Sequence, residues 1–294
     1  MKTIIIIGAT DDLHTQAVAQ HLMKNGINVE IIDARTDSSP YSISYMSRGQ
    51  QCGVTLAERA FPLAEIQGVW CRRIFRPDPV DDGQLAAQRH TRWLERRHMI
   101  NAFVQFAHDQ GLRVANAPEA QSAGALKPLQ LARASAAGLG VPLTLMTSNA
   151  GEFRDFVAEA TGMDLVIKGF EQGPNQVRFA RLVRADDLER ADLLAHAPVI
   201  VQEYVAGTSL RVTVVDEEVF AAEIADAPSG GIDWRRDTFP TAKAVVLADD
   251  ETQTILRLHR RLGLVYGAYD FIRRADGRLM FLEVNPSGQF LFVE

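Results

Sequence analysis

Near the carboxyl terminus, Tyr266-Gly267-Ala268-Tyr269-Asp270-Phe271-Ile272-Arg273 and Leu279-Met280-Phe281-Leu282-Glu283-Val284-Asn285 read as two strands around Asp276-Gly277. An Asp-Gly pair favours a two-residue type I′ hairpin. With Ala275 opposite Arg278, that turn sets Asp270 opposite Glu283, and Asn285 joins them on one face. Phe271, Leu282 and Val284 then face the other way, toward a core. Opposed residues lie about 5 Å apart at Cβ, where two negative charges at an effective dielectric of about 20 repel by roughly 3 kcal/mol. A cation between them removes that penalty. Two carboxylates and an amide are oxygen-only donors, which suit Mg²⁺, an ion that keeps waters and shares its sites with phosphates. The competing reading of this segment alone is a solvated charged face.

Other residues could serve the same chemistry. Lys168 ends the apolar run Leu165-Val166-Ile167 and precedes Gly169. A lysine there is costly to bury unless it meets an anion. The turn from Gly169 to Gly173 could fold its amides over phosphates. Gln202, Glu203, Tyr204 and Val205 close the strand Val199-Ile200-Val201 and could offer a carboxylate and backbone groups to a flat heterocycle. Arg211 alternates with apolar positions from Leu210 to Val215, and its guanidinium could clamp phosphoryl and carboxylate oxygens in a fork. Each of these, and Lys127 on a helix, is an ordinary surface residue when taken alone.

The elements that must position them divide the chain in three. Residues 1–115 alternate strand and helix: a strand Thr3 to Ile7, a helix Leu13 to Asn25 capped by Thr10 or Asp11, and a strand Ile27 to Ile32. A strand from Gly68 ends at Arg72 and Arg73, and a helix runs from Arg89 to Gln110. A βαβ opening implies a parallel sheet with functional loops at the strands' carboxyl ends. Gly8-Ala9-Thr10-Asp11-Asp12 lacks the three spaced glycines of a dinucleotide site, and its aspartates would repel a pyrophosphate. Residues 116–201 hold a helix from about Ala125 to Leu139 and strands at Leu143–Met146 and Asp164–Lys168. Residues 202–294 hold the hairpin Leu210 to Ile224, a helix Thr252 to Leu262 and the closing hairpin.

Composition is ordinary for a globular protein of 294 residues, with 47% hydrophobic and 23% charged residues. A net charge of −6 recommends no nucleic-acid partner and no general membrane partner. Cys52 and Cys71 have no metal-type spacing and read as reduced thiols of a cytoplasmic protein. The opening Ile4–Ile7 run is too short for a signal peptide.

The order of a helix lysine, a strand lysine before a turn, a Gln-Glu-aromatic strand end, a sheet arginine and a final Asp…Glu-x-Asn hairpin resembles the ATP-grasp superfamily. Within it the chain is similar to the RimK-like, MvdC/MvdD-type enzymes that cyclise microviridin-type (graspetide) precursor peptides. The residues that carry this are Val69-Trp70-Cys71-Arg72-Arg73, Asp233-Trp234-Arg235, Tyr266 to Asp270 and Phe281 to Glu294. The resemblance implies an α/β fold, α+β in its carboxyl-terminal part, with nucleotide between two α+β subdomains behind a parallel-sheet domain. It implies that Lys127 and Lys168 contact ATP phosphates and that Glu203 with the Tyr204-Val205 backbone holds adenine, beside Gln202. Asp270, Glu283 and Asn285 would bind Mg²⁺, with Mn²⁺ able to substitute. Arg211, with Lys168, would stabilise the acyl phosphate and the tetrahedral species.

The implied partner is a precursor peptide with a leader and a core of Ser, Thr or Lys with Asp or Glu, acted on by a homodimer. Arg72, Arg73, Asp187 and Arg235 are substrate candidates. Asp187, with Asp186 and Glu189, could receive a basic leader residue or simply decorate a helix start. The resemblance also implies a further helix after Gly288-Gln289-Phe290, where this chain stops at Glu294. Two other functions stay open: addition of an amino acid to a protein tail or small acid, and a nucleotide-binding regulatory protein without turnover.

Overall fold

The computed structural model describes residues 3–35, 41–47, 51–56, 58–76, 84–170, 179–225 and 241–293. Arg235, with Asp233 and Trp234, and the Gly169–Gly173 turn beyond Phe170 lie outside them. The chain forms two units, Met1–Ala123 with Gly263–Tyr266, and Gly124–Leu262 with Gly267–Glu294.

The first unit opens with β1 (Thr3–Ile7), α1 (Leu13–Lys24) and β2 (Asn28–Ile32), then β3 (Tyr41–Met46), β4 (Gln51–Leu56) and β5 (Arg59–Pro62). It continues with β6 (Ile66–Cys71), α2 (Gln84–Asp109), β7 (Arg113–Ala115) and α3 (Pro118–Ala125). Strands β2-β1-β6-β7 make a parallel sheet. Its β-branched strand β1 is buried on both faces, as parallel strands are. Ile100, Phe103, Val104 and Ala107 of α2, at helical spacing, fill one face of that core. Strands β3-β4-β5 form a separate antiparallel sheet that strand-helix alternation did not anticipate. Asp12 caps α1, accepting from Thr15 N–H at 2.9 Å, in place of Thr10 or Asp11. Only the residue directly before the first helical position can reach those amides.

The second unit holds α4 (Lys127–Ala137), β8 (Thr144–Thr147), α5 (Ala150–Glu159), β9 (Leu165–Lys168), β10 (Arg181–Leu182) and α6 (Ala185–Glu189). Next come β11 (Val199–Glu203), β12 (Thr208–Val215), β13 (Glu218–Ile224), β14 (Ala242–Val245), α7 (Asp249–Leu262), β15 (Tyr266–Arg273) and β16 (Leu279–Asn285). The expected helix from Ala125 is two helices, because Leu126 is extended and Pro128 sits in the first turn of α4. Lys127 is therefore the first residue of a helix. An antiparallel sheet β10-β9-β11-β8 rests on α5, with Phe153, Leu165, Leu194 and Val201 at its core. A larger sheet, β14-β13-β12-β15-β16, buries Tyr269, Phe271 and Phe281 together with Ile255 and Leu258 of α7.

The closing hairpin departs from the two-residue turn. Arg274 carbonyl accepts from Gly277 N–H, Arg274 N–H donates to Arg278 carbonyl, and only Gly277 has a positive φ. Type I′ needs two such residues, so the loop has three residues and ends on a left-handed glycine. That shifts the ladder by one, pairing Phe271 with Phe281. A bulge at Leu282 restores the frame, and Asp270 does face Glu283, with Ala268 opposite Asn285. The bulge also turns Leu282 out of the core, whereas Phe271 and Val284 stay in it.

Gly207, at φ +153°, lies where a Cβ would collide with the Arg273 carbonyl and come within 2.8 Å of Ile272 Cγ2. The segment that follows β11 is thereby laid against β15. Gly207→Ala is expected to cost about 3 kcal/mol of stability, read as a lower denaturation midpoint in urea.

Candidate functional site

A cleft within the second unit lies between its two sheets. One wall carries Val166, Lys168, Gln202, Glu203, Tyr204 and Val205; the other carries Ser209, Leu210, Asp270, Phe271, Ile272, Leu282 and Glu283. Polar groups gather at one set of positions, while Val166, Leu210, Ile272 and Leu282 supply apolar surface. That combination fits a flat heterocycle with a charged tail.

Each carboxylate of the hairpin is met by a cation. Arg211 Nη1 donates to Asp270 Oδ1 at 2.8 Å, and Lys127 Nζ donates to Glu283 Oε2 at 2.8 Å. The Arg211 side chain is 5% exposed and its partner 18%, while the lysine pair is 16% exposed on both sides. Removing one partner from so enclosed a pair strands the other charge, at a cost of about 3–5 kcal/mol. Asn285 Nδ2 points to Glu283 Oε1 at 3.4 Å, which leaves its amide oxygen for another partner. Arg211 Nη2 donates to Gln289 carbonyl at 2.9 Å, and its guanidinium lies 5.6 Å from the Phe292 ring. A Cβ on Gly288 would come within 2.8 Å of Arg211 Nη2. The residues after β16 thus fold back to hold this arginine. Its Nε is buried with no hydrogen-bond partner among the described residues.

On the other wall Lys168 Nζ donates to Gln202 Oε1 at 3.1 Å, and Gln202 Nε2 donates to Thr144 Oγ1 at 2.9 Å. Glu203 turns its carboxylate to Leu143 N–H at 3.2 Å and to Arg274 at 3.5 Å. Tyr204 N–H donates to Asp164 carbonyl at 2.8 Å, so the Tyr204 carbonyl and Val205 N–H are what this segment offers a ligand.

Ten expected residues are thus gathered: Lys127, Lys168, Gln202, Glu203, Tyr204, Val205, Arg211, Asp270, Glu283 and Asn285. Arg72 and Arg73 belong to the first unit. Arg72 is buried against Asp12, Nε to Oδ2 at 3.3 Å, and Arg73 is exposed beside Phe75. Asp187 is not among the cleft residues. It bridges Arg181 and accepts from Arg184 N–H at 2.8 Å, fixing the start of α6. Sequence reasoning missed Thr144, Ser209, Gln289, Phe292 and Gln130. Gln130 had a signal, standing three residues after Lys127 on one helix face.

The three oxygen donors fit a hard divalent ion. Among the described residues no group of three or more His, Cys, Asp and Glu side chains could hold a metal. An ion here would depend on the Asn285 amide and on non-protein oxygens, as Mg²⁺ commonly does. The cleft also offers anions Lys168 from its wall, with Lys127 and Arg211 standing behind its two carboxylates.

Residues 126–294 match the RimK-like ATP-grasp domain, more than half of the chain. The chain belongs to the RimK-like ATP-grasp family. Among relatives, a probable alpha-L-glutamate ligase 2 of Shewanella amazonensis is 31% identical over 173 residues, covering 57% of this chain and 56% of that protein. The chain thus spans about half the length of the curated relatives it matches. Among solved structures, the ATP-grasp ligase PsnB complexed with minimal precursor is 29% identical, with a TM-score of 0.81 over 99% of this chain and 92% of that one. Macrocyclase MdnC bound with precursor peptide MdnA, from Microcystis aeruginosa MRC, shares the fold at 24% identity, TM-score 0.83, over 100% and 94%. The ATP-grasp α/β architecture expected from sequence is therefore present. Among the described residues no helix is long and apolar enough to cross a membrane.

Arg181 holds the Asp187 carboxyl below the usual carboxylate range, through its hydrogen bond first, against the opposing effect of burial. A depressed folded pKa stabilises above the unfolded value and is lost as pH falls through the folded one. With Arg181 41% exposed, solvent screening limits the effect to about 1 kcal/mol. Asp187→Ala is expected to lower stability by that amount at pH 7, with the difference from the parent shrinking as acid carries the pH below the usual carboxylate range and through the lowered folded value, as urea titrations would show.

Proposed function

We propose that this ATP-grasp protein is an ADP-forming ligase that cyclises a ribosomally made peptide through ester or amide crosslinks. The observation that carries the reading is likeness to PsnB along 99% of the chain, first unit included, whereas the glutamate-ligase match spans 57%. PsnB is also known with a phosphomimetic variant of its minimal precursor, Mg and ADP.

In this reading adenine lies against Val166, Leu210, Ile272 and Leu282, met by the Tyr204 carbonyl and Val205 N–H. Lys168 and Lys127 hold phosphates, Lys127 exchanging its bond to Glu283 for one to a phosphate oxygen. An ion bound by Asp270, Glu283 and Asn285 would neutralise charge developing on phosphoryl oxygens. An Asp or Glu carboxylate of the peptide attacks the γ-phosphorus, and the bond to the β-phosphate oxygen breaks to release ADP. A Ser or Thr hydroxyl, or a Lys amine, then attacks the acyl carbon, and phosphate leaves. Arg211, preset by Asp270, Gln289 and Phe292, places fixed positive charge where those oxygens become more negative. Arg72, Arg73, Asp187 and Arg235 are proposed as peptide contacts. A homodimer in the cytoplasm is the proposed working form. Segments 1–115, 116–201 and 202–294 are its proposed functional divisions.

A second reading, addition of an amino acid to a protein tail or small acid, is favoured by the 31% identity to a probable alpha-L-glutamate ligase. Mass spectrometry separates the two. Incubation with ATP, Mg²⁺, the peptide encoded beside the gene and a mixture of free amino acids should remove one water per ring; a mass gain of one amino-acid residue would replace the cyclase reading. Glu283→Gln is expected to abolish Mg²⁺-dependent ATP consumption with the fold intact by circular dichroism, and an unchanged rate would overturn the ion assignment.

A further inference from the structure

Strand β16 is an outer strand of its sheet, and among the described residues its outer edge is met by an isolated bridge from Gly140 to Met280 and by no further strand. At Val284, between Glu283 and Asn285, that edge is closed by a side chain. Gln130 Oε1 accepts from Val284 N–H at 3.1 Å, and Gln130 Nε2 donates to Val284 carbonyl at 2.9 Å and to Gly124 carbonyl at 2.6 Å. The amide is 1% exposed and Val284 is 0%. Gln130 thus reproduces the paired bonds that a sixth strand would make. The inner ladder is weakest here, because the Leu282 bulge interrupts pairing between Phe271–Phe281 and Asp270–Glu283. Farther along β16, Gly140 carbonyl accepts from Phe281 N–H at 2.8 Å, so the chain just beyond α4 grips the strand on the far side of the bulge.

We propose that Gln130 is a positioning residue for the divalent ion: it fixes the roll of β16 so that Glu283 and Asn285 present their oxygens together. Resting on the ion assignment above, the proposal adds a residue that touches neither ion nor nucleotide. Lys127, on the same helix, holds the Glu283 side chain at 2.8 Å but must let go to meet a phosphate. Gln130 binds the backbone beside it and has no reason to let go. The strand therefore keeps its roll in both states.

The test uses Mn²⁺ as a probe, titrated with ADP present and read by loss of the free-ion electron paramagnetic resonance signal. Gln130→Met keeps the length of the side chain and removes all three bonds. It should raise the Mn²⁺ midpoint about tenfold, the scale of a lost buried hydrogen bond, while ADP affinity in EDTA stays within about twofold, the span that one weak contact covers. Gln130→Asn keeps the amide on an arm one methylene shorter, which cannot meet Val284 and Gly124 together, so it should fall between parent and Gln130→Met. Should Gln130→Met fail to fold, Gln130→Asn decides alone. Faster amide exchange across residues 281–286 in metal-free Gln130→Met is also expected. An unchanged Mn²⁺ midpoint in folded variants, or an equal loss of metal-free ADP affinity, would overturn the positioning role alone. A parent protein that takes up no Mn²⁺ with ADP would instead overturn the ion assignment, and this role with it.

Discussion

Two carboxylates held face to face on neighbouring strands are the constraint around which the second unit is organised. Asp270 and Glu283 cannot separate without breaking the β15–β16 ladder, so their repulsion must be met by positive charge. The chain meets it from opposite directions, with Arg211 from β12 on one carboxylate and Lys127 from α4 on the other. Neither cation is neutralised merely for stability. Both remain beside a cleft with room for a further anion, and the repelling pair remains available to a further cation. A site that must bind a charged nucleotide and an ion together benefits from being internally compensated when empty, because little reorganisation is then required.

The scaffold around that pair is divided by rigidity. Arg211 is fixed by a carboxylate, a carbonyl, an aromatic ring and the close approach of Gly288. Lys127 reaches Glu283 on one long flexible chain from the first position of a helix. On the opposite wall Lys168 is steadied by Gln202, itself tied to Thr144 on β8. In the proposed reaction the fixed arginine would suit charge that develops on the reacting oxygens, and the lysines would suit a nucleotide that enters and leaves.

Much of this was legible in the chain. Alternating polar and apolar residues from Tyr266 to Asn285 placed Asp270 opposite Glu283, and the order of lysines, glutamate and arginine pointed to the correct family. The register was reached through a turn that does not form: Asp276 keeps negative φ, and the bulge at Leu282 cancels the resulting shift. Local turn preference cannot foresee that, since the bulge answers to packing of Phe281 in the core. Pro128 could have revealed that a helix starts beside it, because a proline has no N–H for an interior turn and is tolerated in the first one.

Sequence alone determined which chemical groups are present, which strands alternate, and that an Asp, a Glu and an Asn share a face, since side-chain direction follows from backbone period. Tertiary structure decided which cation meets which carboxylate and that Gln130 completes the edge of β16. Those pairings join residues up to 156 positions apart. No local preference encodes them, because they exist only where buried polar groups must find partners in a packed interior.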